Sequence, residues 1–109
     1  MMVLTVKEIE QRVKPVAEKY EVPVVYIFGS YARNEATNES DIDFLVGTES
    51  MPEEYRWLVY SDFFEELKKA VDHEIDLVEI EALANTNPTT IQKNFTKQVM
   101  EERLKIFEK

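Results

Sequence analysis

Asp41 and Asp43 stand two positions apart where the polar loop "NEATNES" gives way to the apolar run "DIDFLVG", a short distance after the pair Gly29-Ser30. In a strand, residues i and i+2 project from one face about 6.5–7 Å apart, given a rise of ~3.3 Å per residue. Two carboxylates so placed can converge on one hard cation, and without it they repel and raise their own pKa values. Asp76 lies in a later β-prone run, "HEIDLVEI" (73–80), on the same face as Val78 and Ile80. If that run pairs beside "DIDFLV", three acids can hold two magnesium ions and leave room for substrate phosphates. Asp72, Glu74 and Glu79 compete for the third role, and only strand alternation favours Asp76. Gly29-Ser30 supplies the matching half. Glycine lets backbone approach a phosphate closely, and the first amides of a short helix, with the Ser30 hydroxyl, donate to its oxygens.

Taken singly, a Gly-Ser pair is a turn and an Asp-x-Asp is a helix cap or loop. The order strand, Gly-Ser, short helix, polar loop, "SDID" entering an apolar strand is what points to a metal–nucleotide site. Arg33 reads equally as a phosphate contact or as the end of the short helix. His73 reads as a strand-end surface residue rather than a ligand.

The elements that must position these groups follow one another closely. Thr5 with Glu8 forms a capping box and Leu4 with Ile9 a hydrophobic staple, so a helix is predicted from Val6, with Ile9, Val13, Val16 and Tyr20 at helical spacing. Pro15 is expected to kink or shorten it. Pro23 opens "VVYIF", a buried strand ending at Gly29, after which Ser30 is expected to cap one or two turns through Arg33. In "DIDFLVG", Ile42, Phe44 and Val46 face one way and Asp41, Asp43 and Leu45 the other. Pro52 starts a long helical stretch whose apolar face is expected to be Trp57, Tyr60, Phe64, Leu67 and Val71. After the strand carrying Asp76, a helix is predicted from Pro88 through about Met100, with Ile91, Phe95 and Val99 as its stripe, and "LKIFE" reads as a final short strand. The expected fold is α+β: one mixed sheet packed by helices, in a single small domain spanning residues 1–109.

Composition narrows the function classes. Apolar residues make up 44% of the chain, enough for a packed core. No apolar run approaches the ~20 residues that span a bilayer, and the N-terminus lacks a signal-peptide pattern, so a cytoplasmic location is expected. With no cysteine, a metal would be held by oxygen or by the lone His73, and oxygen favours magnesium-like ions. The net charge of −9 argues against non-specific nucleic-acid binding. Residues 35–81 carry fifteen acidic groups against three basic ones, Arg56, Lys68 and Lys69, a concentration suited to cations or a basic partner.

"FGSYARNEATNESDIDFLV" followed by "EIDLVEI" resembles the signature of the DNA polymerase beta-like nucleotidyltransferase superfamily. The whole chain is similar to its minimal nucleotidyltransferase (MNT) branch, from the helix before "VVYIFGS" to "NPTTIQKNF". The resemblance implies that Gly29 and Ser30 bind the triphosphate of Mg·ATP, that Asp41 and Asp43 ligate magnesium ions, and that Asp76 is the third carboxylate, positioning or deprotonating an acceptor hydroxyl. That hydroxyl would attack the α-phosphorus and pyrophosphate would leave. It also implies a protein partner, a HEPN-domain toxin, with this chain as the antitoxin that adenylylates a tyrosine on it, in a homo- or hetero-oligomer. Larger relatives hold nucleic acid, tRNA or an antibiotic with an added helical domain, which this chain is expected to lack. Two other readings stand beside this one: a module that neutralises its partner by masking it, and a small-molecule nucleotidyltransferase completed by dimerisation. One departure is Asn34, where the family commonly has glycine after Ala-Arg; Asn tolerates the left-handed backbone that such a turn requires.

Overall fold

The computed structural model describes residues 3–83 and 89–109. Four strands form one mixed sheet in the order β3-β2-β1-β4. Strand β1 (Val24–Phe28) runs antiparallel to both β2 (Ile42–Gly47) and β4 (Leu104–Glu108), while β2 and β3 (Ile75–Glu79) are parallel. "LKIFE" is therefore a strand, at the edge of the sheet. Among the described residues no helix is long and apolar enough to cross a membrane.

Strand alternation sorts the core into two layers. Val25, Ile27, Ile42, Phe44 and Val46 point to one face and pack with Ile9, Val13, Phe63 and Leu67. Phe28 and Leu45 point to the other and pack with Val99, flanked by Tyr26, Val78 and Ile80. The first layer is covered by α1 (Val6–Lys19) and α4 (Phe64–Val71), the second by α5 (Thr90–Glu102). Asp43 and Asp76 share the second face by register, as the alternation predicts.

Helix α1 starts as expected: Thr5 and Glu8 exchange both capping-box bonds, at 3.1 and 3.0 Å, and Leu4 and Ile9 are buried in one cluster. Pro15 does not shorten it. The helix continues to Lys19 because Pro15 and Gln11, whose carbonyl loses its donor, both face water, while Ile9, Val13 and Ala17 anchor the opposite side.

The stretch after Pro52 is not one long helix. A single turn, α3 (Glu53–Arg56), leads into a π-helical turn over Val59–Phe63 before α4 begins. A π turn holds more residues than an α turn, so it rotates the apolar stripe. The buried face becomes Val59, Phe63, Leu67 and Val71, with Phe64 half-buried, and the expected members Trp57 and Tyr60 lie 77% and 59% exposed. Helix α5 is capped by a Thr89–Gln92 capping box and runs to Glu102, past Met100. Pro88, expected to precede it, lies outside the described residues. Of its predicted stripe only Val99 is buried; Ile91 is 81% exposed, and Phe95 is exposed on one side while meeting Phe28 edge-on at 6.2 Å.

Candidate active site

Register places the acidic residues. Phe28, the last residue of β1, lies opposite Asp43, and Asp43 lies beside Asp76 in the parallel pair. The chain leaving β1 is therefore forced past the Asp43 side chain, and Gly29 is where it passes. Gly29 holds φ +71, and a Cβ built there would stand 2.1 Å from Asp43 Oδ2. Both the left-handed backbone and the lack of space require glycine. Four residues, Gly29–Ala32, then form α2, with Phe28 in the capping position and no side chain capping the turn. Ser30 is thus inside the helix and does not cap it, contrary to the expectation from sequence. It stays half-buried at the rim of a cleft of about 350 Å³ lined also by Phe28, Gly29, Arg33, Asp43, Phe95 and Glu102.

Asp43 is half-buried, and its pKa is pushed up to about 6. Burial is the largest cause, followed by the charge of Asp76 and a hydrogen bond with it, then by Asp41; Arg33 pulls the other way. Two carboxylates side by side in register repel when both are charged, and a proton or a cation between them relieves that repulsion. The donors are all hard oxygens, which is what Mg2+ accepts, so the residues fit that ion by chemistry. Among the described residues, however, no three acidic or histidine side chains are arranged as a finished metal site. Asp41 lies just before β2, exposed, and lines a separate, wider cleft of about 510 Å³ between residues 38–41 and the end of α4. The structure thus brings Asp43, Asp76, Gly29 and Ser30 together and leaves Asp41 at the margin. The wider cleft is the larger of the two, but the close Gly29–Asp43 approach and the titrating carboxylate are in the narrower one.

Of the two roles the sequence leaves open, Arg33 fills the helix-ending one here. Its backbone closes α2, and its guanidinium lines the cleft, donating from Nε to Glu35 at 2.8 Å and from Nη1 to Glu102 at 3.0 Å. Asn34 takes φ 59, the left-handed conformation for which glycine is usual. His73 is not a plain surface residue. It is half-buried, its Nδ1 is 2.7 Å from the Val71 carbonyl oxygen, and its ring meets Tyr31 edge-on at 6.3 Å. Glu102 is not singled out by the sequence, and Phe95, expected only as part of the α5 stripe, lines the cleft beside it. Both come from α5, far along the chain, and nothing in the local pattern of "TIQKNFTKQVMEE" tells which helical face meets the Gly29 turn.

A family model described as "Polymerase beta, Nucleotidyltransferase" matches residues 11–109. The chain belongs to this nucleotidyltransferase family. It is similar to the protein adenylyltransferase MntA of Thermococcus cleftensis, with 35% identity over 71 residues that cover 62% of this chain and 72% of the relative. A solved structure described as a minimal nucleotidyltransferase superposes with a TM-score of 0.65 at 23% identity, covering 95% of this chain and 98% of the other. The structure of tri-AMPylated Shewanella oneidensis HEPN toxin in complex with MNT antitoxin contains a chain that matches with a TM-score of 0.58 at 19% identity, over 96% of this chain and 74% of that one. At those identities the two structures establish the nucleotidyltransferase fold.

Proposed function

We propose that this nucleotidyltransferase transfers AMP from Mg·ATP to a hydroxyl, a tyrosine, of a HEPN-type toxin and so acts as its antitoxin. The observation that carries the reading is Gly29 pressed against Asp43 with Asp76 next in register, a phosphate-approachable turn touching a carboxylate pair. The names of the matched relatives, a protein adenylyltransferase and an MNT antitoxin bound to an AMPylated HEPN toxin, support the substrate and partner. A strongly acidic chain is also steered electrostatically towards a basic partner.

Asp43 and Asp76, neighbours in register, would hold magnesium together with Asp41, which stands just before β2 at the margin of the site. Bound magnesium supplies charge neutralisation on the phosphates and polarises the reacting phosphorus. The Gly29 amide and the Ser30 hydroxyl donate to phosphate oxygens, and Arg33 adds a guanidinium at the same cleft. The acceptor oxygen forms a bond to the α-phosphorus as the bond to the bridging oxygen breaks. Pyrophosphate leaves with that electron pair, and the hydroxyl proton passes to Asp76. Asn34 keeps the left-handed turn, so its presence in place of glycine does not by itself favour a purely masking role.

The test is to incubate the protein with labelled ATP, magnesium and the product of the neighbouring gene. Label should appear on the partner and vanish when Asp41 and Asp43 are both changed to Ala. Equal labelling by the doubly substituted chain would sink the reading.

A further inference from the structure

Glu102, the last residue of α5, rests on the two donors that the proposed reaction assigns to phosphate. Its Oε1 accepts from the Gly29 amide at 2.8 Å, and its Oε2 accepts from Arg33 Nη1 at 3.0 Å. The side chain is only 14% exposed and lines the same cleft as Ser30 and Asp43. The position is electrostatically unfavourable in two respects. A negative charge at a helix C-terminus opposes the helix dipole, and Asp43 is a second carboxylate in the same cleft. Burial raises its pKa, yet the bonds from Arg33 and Gly29 outweigh burial and hold it below the usual carboxylate range. A carboxylate and a phosphate make the same demand on an amide and a guanidinium, namely oxygen acceptors carrying negative charge. They cannot use the same two hydrogens at once.

We propose that Glu102 is an internal phosphate mimic that sets nucleotide affinity, holding the Gly29 amide and Arg33 until the phosphates of a nucleotide displace it. The inference rests on the nucleotide reading of the cleft and adds a residue to it. It has a definite sign. A competitor weakens binding, so its removal tightens it; a brace that merely shapes the turn would strengthen binding, so its removal would loosen it.

Glu102→Gln keeps the shape and one acceptor but removes the charge. Titration calorimetry of the full chain with Mg2+ and a non-hydrolysable ATP analogue should show binding tightened about 10-fold, the scale of one charge-assisted hydrogen bond no longer competed for. Glu102→Asp, too short to reach both donors, should tighten binding too and guards against a folding failure in the first variant. The chain has two glycines, Gly29 and Gly47, so 15N-glycine labelling gives two backbone amide resonances. Glu102→Gln should move the Gly29 resonance and leave Gly47 in place, and the nucleotide should move Gly29 in the wild type. Binding that is unchanged within about twofold or weaker in the folded variants, or a Gly29 resonance indifferent to Glu102→Gln, overturns the proposal. Failure of the underlying reading looks different: the wild type would show no metal-dependent nucleotide binding at all, and the inference would fall with it.

Discussion

Gly29→Ala tests the geometry of the site most directly, because one methyl group meets two separate obstacles. At φ +71 an L side chain is strained by about 1–2 kcal/mol, an energy that lowers the melting temperature of a domain this size by roughly 4–16 °C. The methyl would also stand 2.1 Å from Asp43 Oδ2 and 3.1 Å from its Cγ. Ordinary contact begins near 3.5 Å, so the carboxylate oxygen must retreat by about 1.4 Å. A misplacement of that size at a reacting centre costs on the order of 100-fold in rate. Gly47→Ala is the matched control: its Cβ would lie 2.8 Å from Val24 Cγ1, beside a half-buried valine at the far end of β2 from Asp43, so it should lower stability without that loss of rate. The assay is single-turnover transfer of labelled AMP to the partner, read beside a thermal melt for both variants. Gly29→Ala retaining activity within about threefold while folded, or Gly47→Ala losing as much, would refute the idea that Gly29 exists to seat Asp43.

Three further outcomes follow from the same structure. In metal-free protein, the native state binds the Asp43 proton more tightly than the unfolded chain, since its pKa is raised from 3.8 to about 6. Stability should therefore fall as pH rises through that window, and Asp43→Asn should remove the slope and add on the order of 1 kcal/mol near neutrality while abolishing transfer, as denaturant melts against pH would show. Adding Mg2+ at neutral pH should raise the melting temperature of the wild type and not of Asp43→Asn; below the Asp43 pKa, where the proton competes, the rise should shrink. Phe63→Ala should cost about 3–5 kcal/mol and Trp57→Ala less than about 0.5 kcal/mol, because the first is fully buried and the second 77% exposed. Equal costs in urea denaturation would contradict the stripe set by the π turn.

What could be read from sequence here was local. The Thr5–Glu8 capping box, the alternation that sends Ile42, Phe44 and Val46 one way and Asp43 and Leu45 the other, and the strand carrying Asp76 are all carried by neighbours within a few residues. Their interactions are short-range, so the pattern suffices. The stretch after Pro52 was not legible in the same way. Helical periodicity put Trp57 and Tyr60 on the buried face, and a π turn that leaves no mark in the residue pattern rotated them into solvent.

The amino-acid order by itself determined the chemistry of the cleft: hard oxygen donors, no thiol, a glycine where the backbone must turn left, and Asp43 alternating onto the face opposite Ile42 and Phe44. Tertiary structure alone decided which of them meet. The parallel register of β2 and β3 set Asp76 beside Asp43, the antiparallel register of β1 drove Gly29 against the same carboxylate, and the packing of α5 laid Glu102 across both Gly29 and Arg33. Those contacts join residues from distant parts of the chain. Their energy depends on how whole elements pack, which no short window of sequence contains.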